Sequence, residues 1–150
     1  MIEIDSPWLG LLLMGTFSGL AKLAEPLFRL RLPRGLRRIR PWELAGTAYR
    51  RLRVQTFGKL LRSSPLRLLN SSVYLNRRGR DLGSLYRQVE SAEAIHFWAM
   101  VLLLPYIAGA LAEGQWLTGV LLVAVQLLFN VYPFLHLRTV RGRLHQRAPS

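Results

Sequence analysis

Three residues that could transfer a proton follow one another at helical spacing. Glu90, Glu93 and His96 are each three residues apart, so they lie near one face if this segment is a helix. A histidine beside a carboxylate can take a proton from a hydroxyl group, the first step of acyl transfer to an alcohol. We therefore predict Glu93 and His96 as catalytic residues. The structural alternative is a histidine at the end of a membrane span, with Glu90 paired to Arg87.

Asn130 is a candidate for binding a polar group of a substrate. It lies inside an apolar block, where an amide costs free energy unless it finds a partner. Gln126 lies one helical turn before it. The alternative role of both amides is hydrogen bonding between helices.

The composition excludes several kinds of chemistry. The chain has 150 residues, 51% of them hydrophobic, a formal net charge of +13 and no cysteine, so it has neither disulfides nor a cysteine nucleophile. His96, His136 and His145 lack the HExxH spacing and the cysteine companions of a zinc site. We expect no metal and no bound cofactor.

Two apolar blocks are long enough to cross a membrane. Residues 95–112 and 115–137 contain no formal charge, and a transmembrane helix needs about 20 apolar residues. We predict that they form an antiparallel helical hairpin. Residues 7–27 would form a third, N-terminal span if Lys22 lies at the interface. The sequence therefore predicts a single all-α integral membrane domain over residues 1–150.

The basic residues flank these apolar blocks. Residues 22–94 hold 17 of the 21 Lys and Arg residues, and the positive-inside rule places region 28–94 and a basic tail, 138–150, on the cytoplasmic side of a bacterial inner membrane. Leucine and aromatic residues among the arginines, broken by prolines, predict short amphipathic helices on anionic lipid. Because arginines beside a span explain the charge and no nucleic-acid-binding motif is present, we expect no nucleic-acid partner.

Three stretches resemble a known family. The segment YRQVESAEAIHFWAMVLLLPYIAGAL, a second span ending in NVYPFLHLRTVRGRL, and the upstream PWELAGTAYRRLRVQTFGKLL resemble the glycosyl-4,4'-diaponeurosporenoate acyltransferases, small bacterial membrane proteins of carotenoid glycoside acylation. The resemblance covers about residues 42–144. Its matching residues are Trp42, Glu43, Gly46, Tyr49, Ala92, Glu93, His96, Asn130, Arg138, Arg141, Arg143 and Leu144.

The resemblance implies transfer of an acyl chain to a hydroxyl of a carotenoid glycoside or another lipid-like acceptor. It implies acyl-CoA as a co-substrate, whose phosphates would lie among Arg138, Arg141 and Arg143, with Asn130 as a further substrate-binding residue. The chain departs from the family where it has Leu137 and Val140, because the exit motif usually carries polar residues at both positions.

A second hypothesis belongs to a different class. The chain could be a non-catalytic small transmembrane subunit that docks to and stabilises a larger membrane complex. A 17.2 kDa chain with two or three spans buries little core of its own, so lipids or partner helices would complete its packing. The expected partners are anionic lipids at the arginines, a carotenoid or glycolipid, and other membrane subunits.

Overall fold

A computed structural model describes Leu12, Gly15, Thr16 and residues 31–63 and 82–147. The predicted N-terminal span, residues 7–27, therefore lies almost wholly outside the described residues. All regular elements in the described part are helical. They are α1 (Arg34–Arg37), α2 (Pro41–Ala45), α3 (Thr47–Arg51), α4 (Val54–Ser63), α5 (Leu82–Ala112), α6 (Trp116–Gln126), a π-helical segment (Leu127–Val131) and α7 (Tyr132–Arg147).

Two of these helical runs could cross a membrane. Helix α5 has 31 residues, and the run from Trp116 to Arg147 has 32. Only 28% and 33% of their most apolar stretches are buried within the chain, and large side chains such as Leu104, Leu117 and Leu128 are about half exposed or more. Because a continuous apolar surface of this kind is unfavourable in water, it suits contact with lipid or with another apolar surface.

The described residues divide into two compact units. The first lies within Met1–Leu30 and Ala94–Pro133, and the second within Arg31–Glu93 and Phe134–Ser150. We call them the apolar unit and the basic unit. Helix α5 contributes its beginning to the basic unit and the rest of its length to the apolar unit.

A turn at Gly114 separates the two long helical runs. This glycine has φ +76°, and its amide donates to the Leu111 carbonyl at 3.1 Å, which ends α5. Beyond the turn, Gly119 packs so closely on Leu111 that there is no room for a methyl group. The buried core between the helices consists of Leu103, Ile107, Ala110 and Leu122. These contacts join the helices on either side of the turn; the antiparallel hairpin stays a prediction.

The helix after the turn changes its hydrogen-bonding pattern before Pro133. The Tyr132 amide donates to the Leu127 carbonyl, one residue further back than in an α-helix. Pro133 follows and has no N–H, so it cannot donate to the Phe129 carbonyl as an α-helical residue would. This part of the helix is therefore irregular, as is common near functional sites.

The short helices of the basic unit begin and end at recognisable signals. Helix α2 has Pro41 at its first position, and the Arg40 amide before it donates to Glu43 Oε2 at 2.6 Å. Gly46 ends the helix with φ +68°, a conformation that favours glycine. The sequence predicted short helices in this region, and the structure contains them; their contact with anionic lipid stays a prediction.

The segment that the sequence predicts as a basic tail, residues 138–150, begins within a helix. Helix α7 continues to Arg147, and Leu137 and Leu144 lie in a core with Val89 of α5. Arg138 and Arg141 are buried. Both arginines can be buried because the buried carboxylates of Glu43 and Glu93 neutralise their charge.

Candidate functional site

Arg138 is the centre of a buried group of charges in the basic unit. Its Nη1 donates to Glu93 Oε1 at 2.7 Å and to the Leu36 carbonyl at 2.5 Å, and its Nη2 donates to Glu43 Oε2 at 3.0 Å and to the Arg38 carbonyl at 2.9 Å. Its Nε donates to Glu43 Oε1. All five N–H donors of the guanidinium group therefore have protein acceptors.

Arg141, one helical turn later, extends this group. Its Nε lies 2.9 Å from Glu93 Oε2, and its Nη1 lies 3.5 Å from Glu90 Oε1. The guanidinium carbon is 5.9 Å from the centre of the Tyr86 ring, within the range of a cation–π contact. Glu90, for which the sequence suggested Arg87 as a partner, is paired with Arg141. We call Glu43, Glu93, Arg138 and Arg141 the ion cluster.

Glu43 is held in its ionised form. Burial acts to raise its pKa, but hydrogen bonds from Arg138 and from the Arg40 amide, with the charge of Arg138, outweigh burial and lower the pKa below its ordinary value. The Tyr49 hydroxyl donates to Glu43 Oε1 at 3.0 Å. Burial and the neighbouring carboxylate raise the pKa of Tyr49 well above its usual range. Tyr49 is thus a neutral donor at physiological pH.

His96 belongs to the apolar unit, where its neighbours are uncharged. The imidazole interacts with the Asn130 side chain and with the main chain of Phe129. Asn130 is 1% exposed, and its Nδ2 donates to Gln126 Oε1 at 2.6 Å. Gln126 Nε2 in turn donates to the Met100 carbonyl at 2.8 Å. A row of polar groups therefore crosses from one apolar helix to the other.

The predicted site residues fall into two sets. The basic unit brings together Glu93, Arg138 and Arg141, and the apolar unit brings together His96 and Asn130. The sixth residue, Arg143, is exposed on α7. Both oxygens of Glu93 are engaged by arginines, so its catalytic partnership with His96 stays a prediction from spacing.

Some groups of this site could not be identified from residue types. The Met100 and Phe129 carbonyls belong to the main chain, and any residue type could supply them. Pro133, four residues after Phe129, is the one sequence signal for the second carbonyl. In residues 31–63 and 82–147, no group of three or more His, Asp or Glu residues could hold a metal ion.

Comparison with known proteins assigns the chain to a family. The profile of the glycosyl-4,4'-diaponeurosporenoate acyltransferases matches residues 33–148. No curated protein and no solved structure matches the chain significantly. The matched region includes every residue of the ion cluster as well as His96 and Asn130, and it confirms the resemblance stated from the sequence. The chain belongs to the glycosyl-4,4'-diaponeurosporenoate acyltransferase family.

Proposed function

We propose that the chain is a membrane-embedded acyltransferase that uses His96 as the general base on a hydroxyl of a lipid-like acceptor. The observation that carries this proposal is the contact of His96 with Asn130 between two apolar helices. Family membership supports acyl transfer as the reaction. The family's name supports a glycosylated carotenoid as the acceptor class, and acyl-CoA is the donor that we propose.

The reaction needs one proton acceptor and one leaving group. The acceptor hydroxyl gives its proton to the unprotonated nitrogen of His96, while the hydroxyl oxygen forms a bond to the thioester carbonyl carbon. The carbon–sulfur bond then breaks, and the CoA thiolate takes the proton back from the imidazolium. Histidine suits this cycle because it gains and loses a proton near neutral pH.

The ion cluster has a different role in this proposal. Arg138 has a protein acceptor for each of its N–H donors, and Arg141 is fully buried against Glu93. Neither is free to bind a phosphate without breaking buried ion pairs. We therefore propose that Glu93 and these two arginines hold the basic unit together, and that the exposed Arg143 contacts the donor's phosphates.

The test follows the release of CoA from a long-chain acyl-CoA in the presence of a glycosylated carotenoid. The purified chain is reconstituted in nanodiscs, and a thiol reagent reads the released CoA without background because the protein has no cysteine. We expect His96→Ala to lower the rate about 100-fold or more, the usual contribution of a general base. His145→Ala, at an exposed position on α7, is the matched control and should keep the wild-type rate.

Two results would contradict the proposal. A folded His96→Ala variant with the wild-type rate would exclude His96 as the base. A wild-type chain that releases no CoA, although it binds the acceptor, would exclude acyl transfer and favour the non-catalytic subunit.

A further inference from the structure

We infer that one exposed surface of the basic unit docks on anionic phospholipid headgroups. This surface, which we call the cationic surface, lies on helices α2 to α4 and combines exposed cations with exposed apolar side chains. Its members are Trp42, Arg50, Arg51, Leu52, Arg53, Lys59 and Leu60. The inference does not depend on the role of His96 in the proposed reaction. It selects, from the many arginines of the chain, those that can reach a lipid.

The exposed charges among residues 31–63 are all positive. Glu43 is the one acidic residue in this range, and it is buried within the ion cluster. The side chains of Arg50, Arg51 and Lys59 are exposed. Because no exposed carboxylate in this range balances them, charge complementarity favours an anionic partner with an extended surface.

Large apolar side chains lie among these cations. Trp42, Leu52 and Leu60 are 52%, 50% and 64% exposed. The Trp42 ring centre lies 6.2 Å from that of the buried Tyr49, so the indole packs against the fold and still presents part of its surface. Such a mixture suits the boundary between headgroups and acyl chains, where cations contact phosphates and apolar groups enter the acyl layer. A polynucleotide has no apolar layer for the leucines, so lipid fits this surface better than nucleic acid.

Arg53 provides an independent indication. Its φ is +52°, a left-handed conformation that crowds the Cβ atom of any residue except glycine. The residue joins α3 to α4, because its amide donates to the Arg50 carbonyl at 3.0 Å and its carbonyl accepts from the Phe57 amide at 3.2 Å. None of the ion pairs among the described residues includes Arg53. An exposed arginine in a strained conformation that glycine would adopt freely indicates that its charge is used outside the chain.

The test measures whether the cationic surface contacts lipid when the whole chain is held in nanodiscs. Because the protein has no cysteine, Leu52→Cys carries a single environment-sensitive fluorophore within the surface. We expect the label to be shielded from acrylamide in discs of phosphatidylglycerol and accessible to it in discs of phosphatidylcholine. Sodium chloride at about 1 M should abolish this difference, because the Debye length is then only about 3 Å.

Arg53→Gly, in the labelled chain, separates the charge from the fold. In discs of increasing phosphatidylglycerol content, we expect the loss of one cation to shift the docking equilibrium about fivefold toward the accessible label, which corresponds to about 1 kcal/mol per basic residue. The melting temperature should equal or exceed that of the wild type, because glycine relieves the left-handed conformation. Arg53→Lys, which keeps both the charge and the conformation, is the matched control and should dock as the wild type does.

Several results would contradict the inference. A label that is equally accessible in both lipids, or shielded in both at every salt concentration, would exclude docking by charge. Equal docking of Arg53→Gly and the wild type would show that this charge is not used, and a lower melting temperature of Arg53→Gly would assign the arginine a structural role. Shielding by polyuridylic acid in phosphatidylcholine discs, without shielding by phosphatidylglycerol, would make nucleic acid the partner. None of these measurements needs an acyl donor, so their failure is distinguishable from a failure of acyl transfer.

Discussion

Arg138 and Arg141 illustrate how burial changes the role of a basic residue. Each lies within hydrogen-bonding or ion-pairing distance of Glu93, and Arg138 also binds Glu43. Removing one partner of a buried ion pair costs about 3–5 kcal/mol, because it leaves an uncompensated charge. These ion pairs therefore stabilise the folded basic unit, and this role does not require that the arginines touch a substrate.

The lowered pKa of Glu43 predicts a loss of stability in acid. Its ionised form stabilises the folded state at and above the ordinary carboxyl pKa of 4.5, and this contribution is lost as the pH falls through the lower folded-state pKa. As the pH is lowered below 5, we expect the melting temperature of the wild type to fall more steeply than that of Glu43→Gln. Each kcal/mol corresponds to about 2–4 °C in a chain of this size.

The measurement is thermal unfolding in detergent as a function of pH. Glu113→Gln, at the exposed turn, is the control and should follow the wild-type curve. If the melting temperature changes equally steeply with pH in the wild type and in Glu43→Gln, the Glu43 carboxylate does not cause the loss of stability in acid.

The sequence predicts candidate site residues but not the groups that contact them. His96, Asn130 and Glu93 were predicted because each is an unusual residue type at its place in an apolar or helical pattern. The Arg138 contact with Glu43 joins residues 95 positions apart, and helical spacing carries no information about such pairs. Gln126 donates to a main-chain carbonyl, a partner that no residue type reveals.

Helix α4 approaches α7 closely at a single glycine. A Cβ atom on Gly58 would lie 2.5 Å from His136 Cε1 and 2.7 Å from His136 Nδ1, and an imidazole ring is rigid. We expect Gly58→Ala to destabilise the basic unit by about 1–3 kcal/mol, the usual cost of overpacking. Thermal unfolding measures this effect.

Gly35 in α1 provides the matched control. A Cβ atom there meets no atom within 4 Å, and alanine is the better helix former by about 1 kcal/mol. Gly35→Ala should leave the melting temperature unchanged or raise it. If both variants melt at the same temperature, α4 is not packed against His136 as described.

The helices are longer than the apolar blocks that predicted them. The sequence placed the spans at 95–112 and 115–137, whereas α5 begins at Leu82 and α7 ends at Arg147. Hydrophobicity marks the part of a helix that suits lipid, but main-chain hydrogen bonding continues through polar residues. The ion cluster stabilises these polar ends by pairing them with each other and with the Arg40–Glu43 segment.

The all-helical fold and two helices able to span a membrane follow from the sequence at the scale of the whole molecule. Long uncharged blocks are the strongest signal that a single sequence carries. The short helices α1 to α4 were predicted as a class but not by their bounds, because four- or five-residue helices depend on tertiary contacts such as that of Glu43 with Arg138. In the sequence, Pro133 is the one residue that indicates an irregular helix near the π-helical segment.

The predicted topology places the turn at Glu113 and the end of α7 on opposite sides of the membrane. Both Glu113 and Gln146 are exposed, and the chain has no cysteine of its own. In intact cells, a membrane-impermeant maleimide should label Glu113→Cys at once and Gln146→Cys only after permeabilisation. Labelling of both variants from the same side would contradict the two-span topology, and the reverse pattern would contradict its orientation.

The ion cluster also implies that Arg138 and Arg141 contribute different charges before and after folding. In the nascent chain they are unpaired cations beside an apolar block, and acidic residues contribute little to the choice of orientation. After folding, their carboxylate partners neutralise them. Under the predicted orientation, the same two residues would hold the helix end in the cytoplasm during insertion, and their ion pairs would leave no net charge in the folded core. We expect Glu43→Gln to weaken folding and yet keep the maleimide pattern; a reversed pattern would mean that these pairs form before insertion.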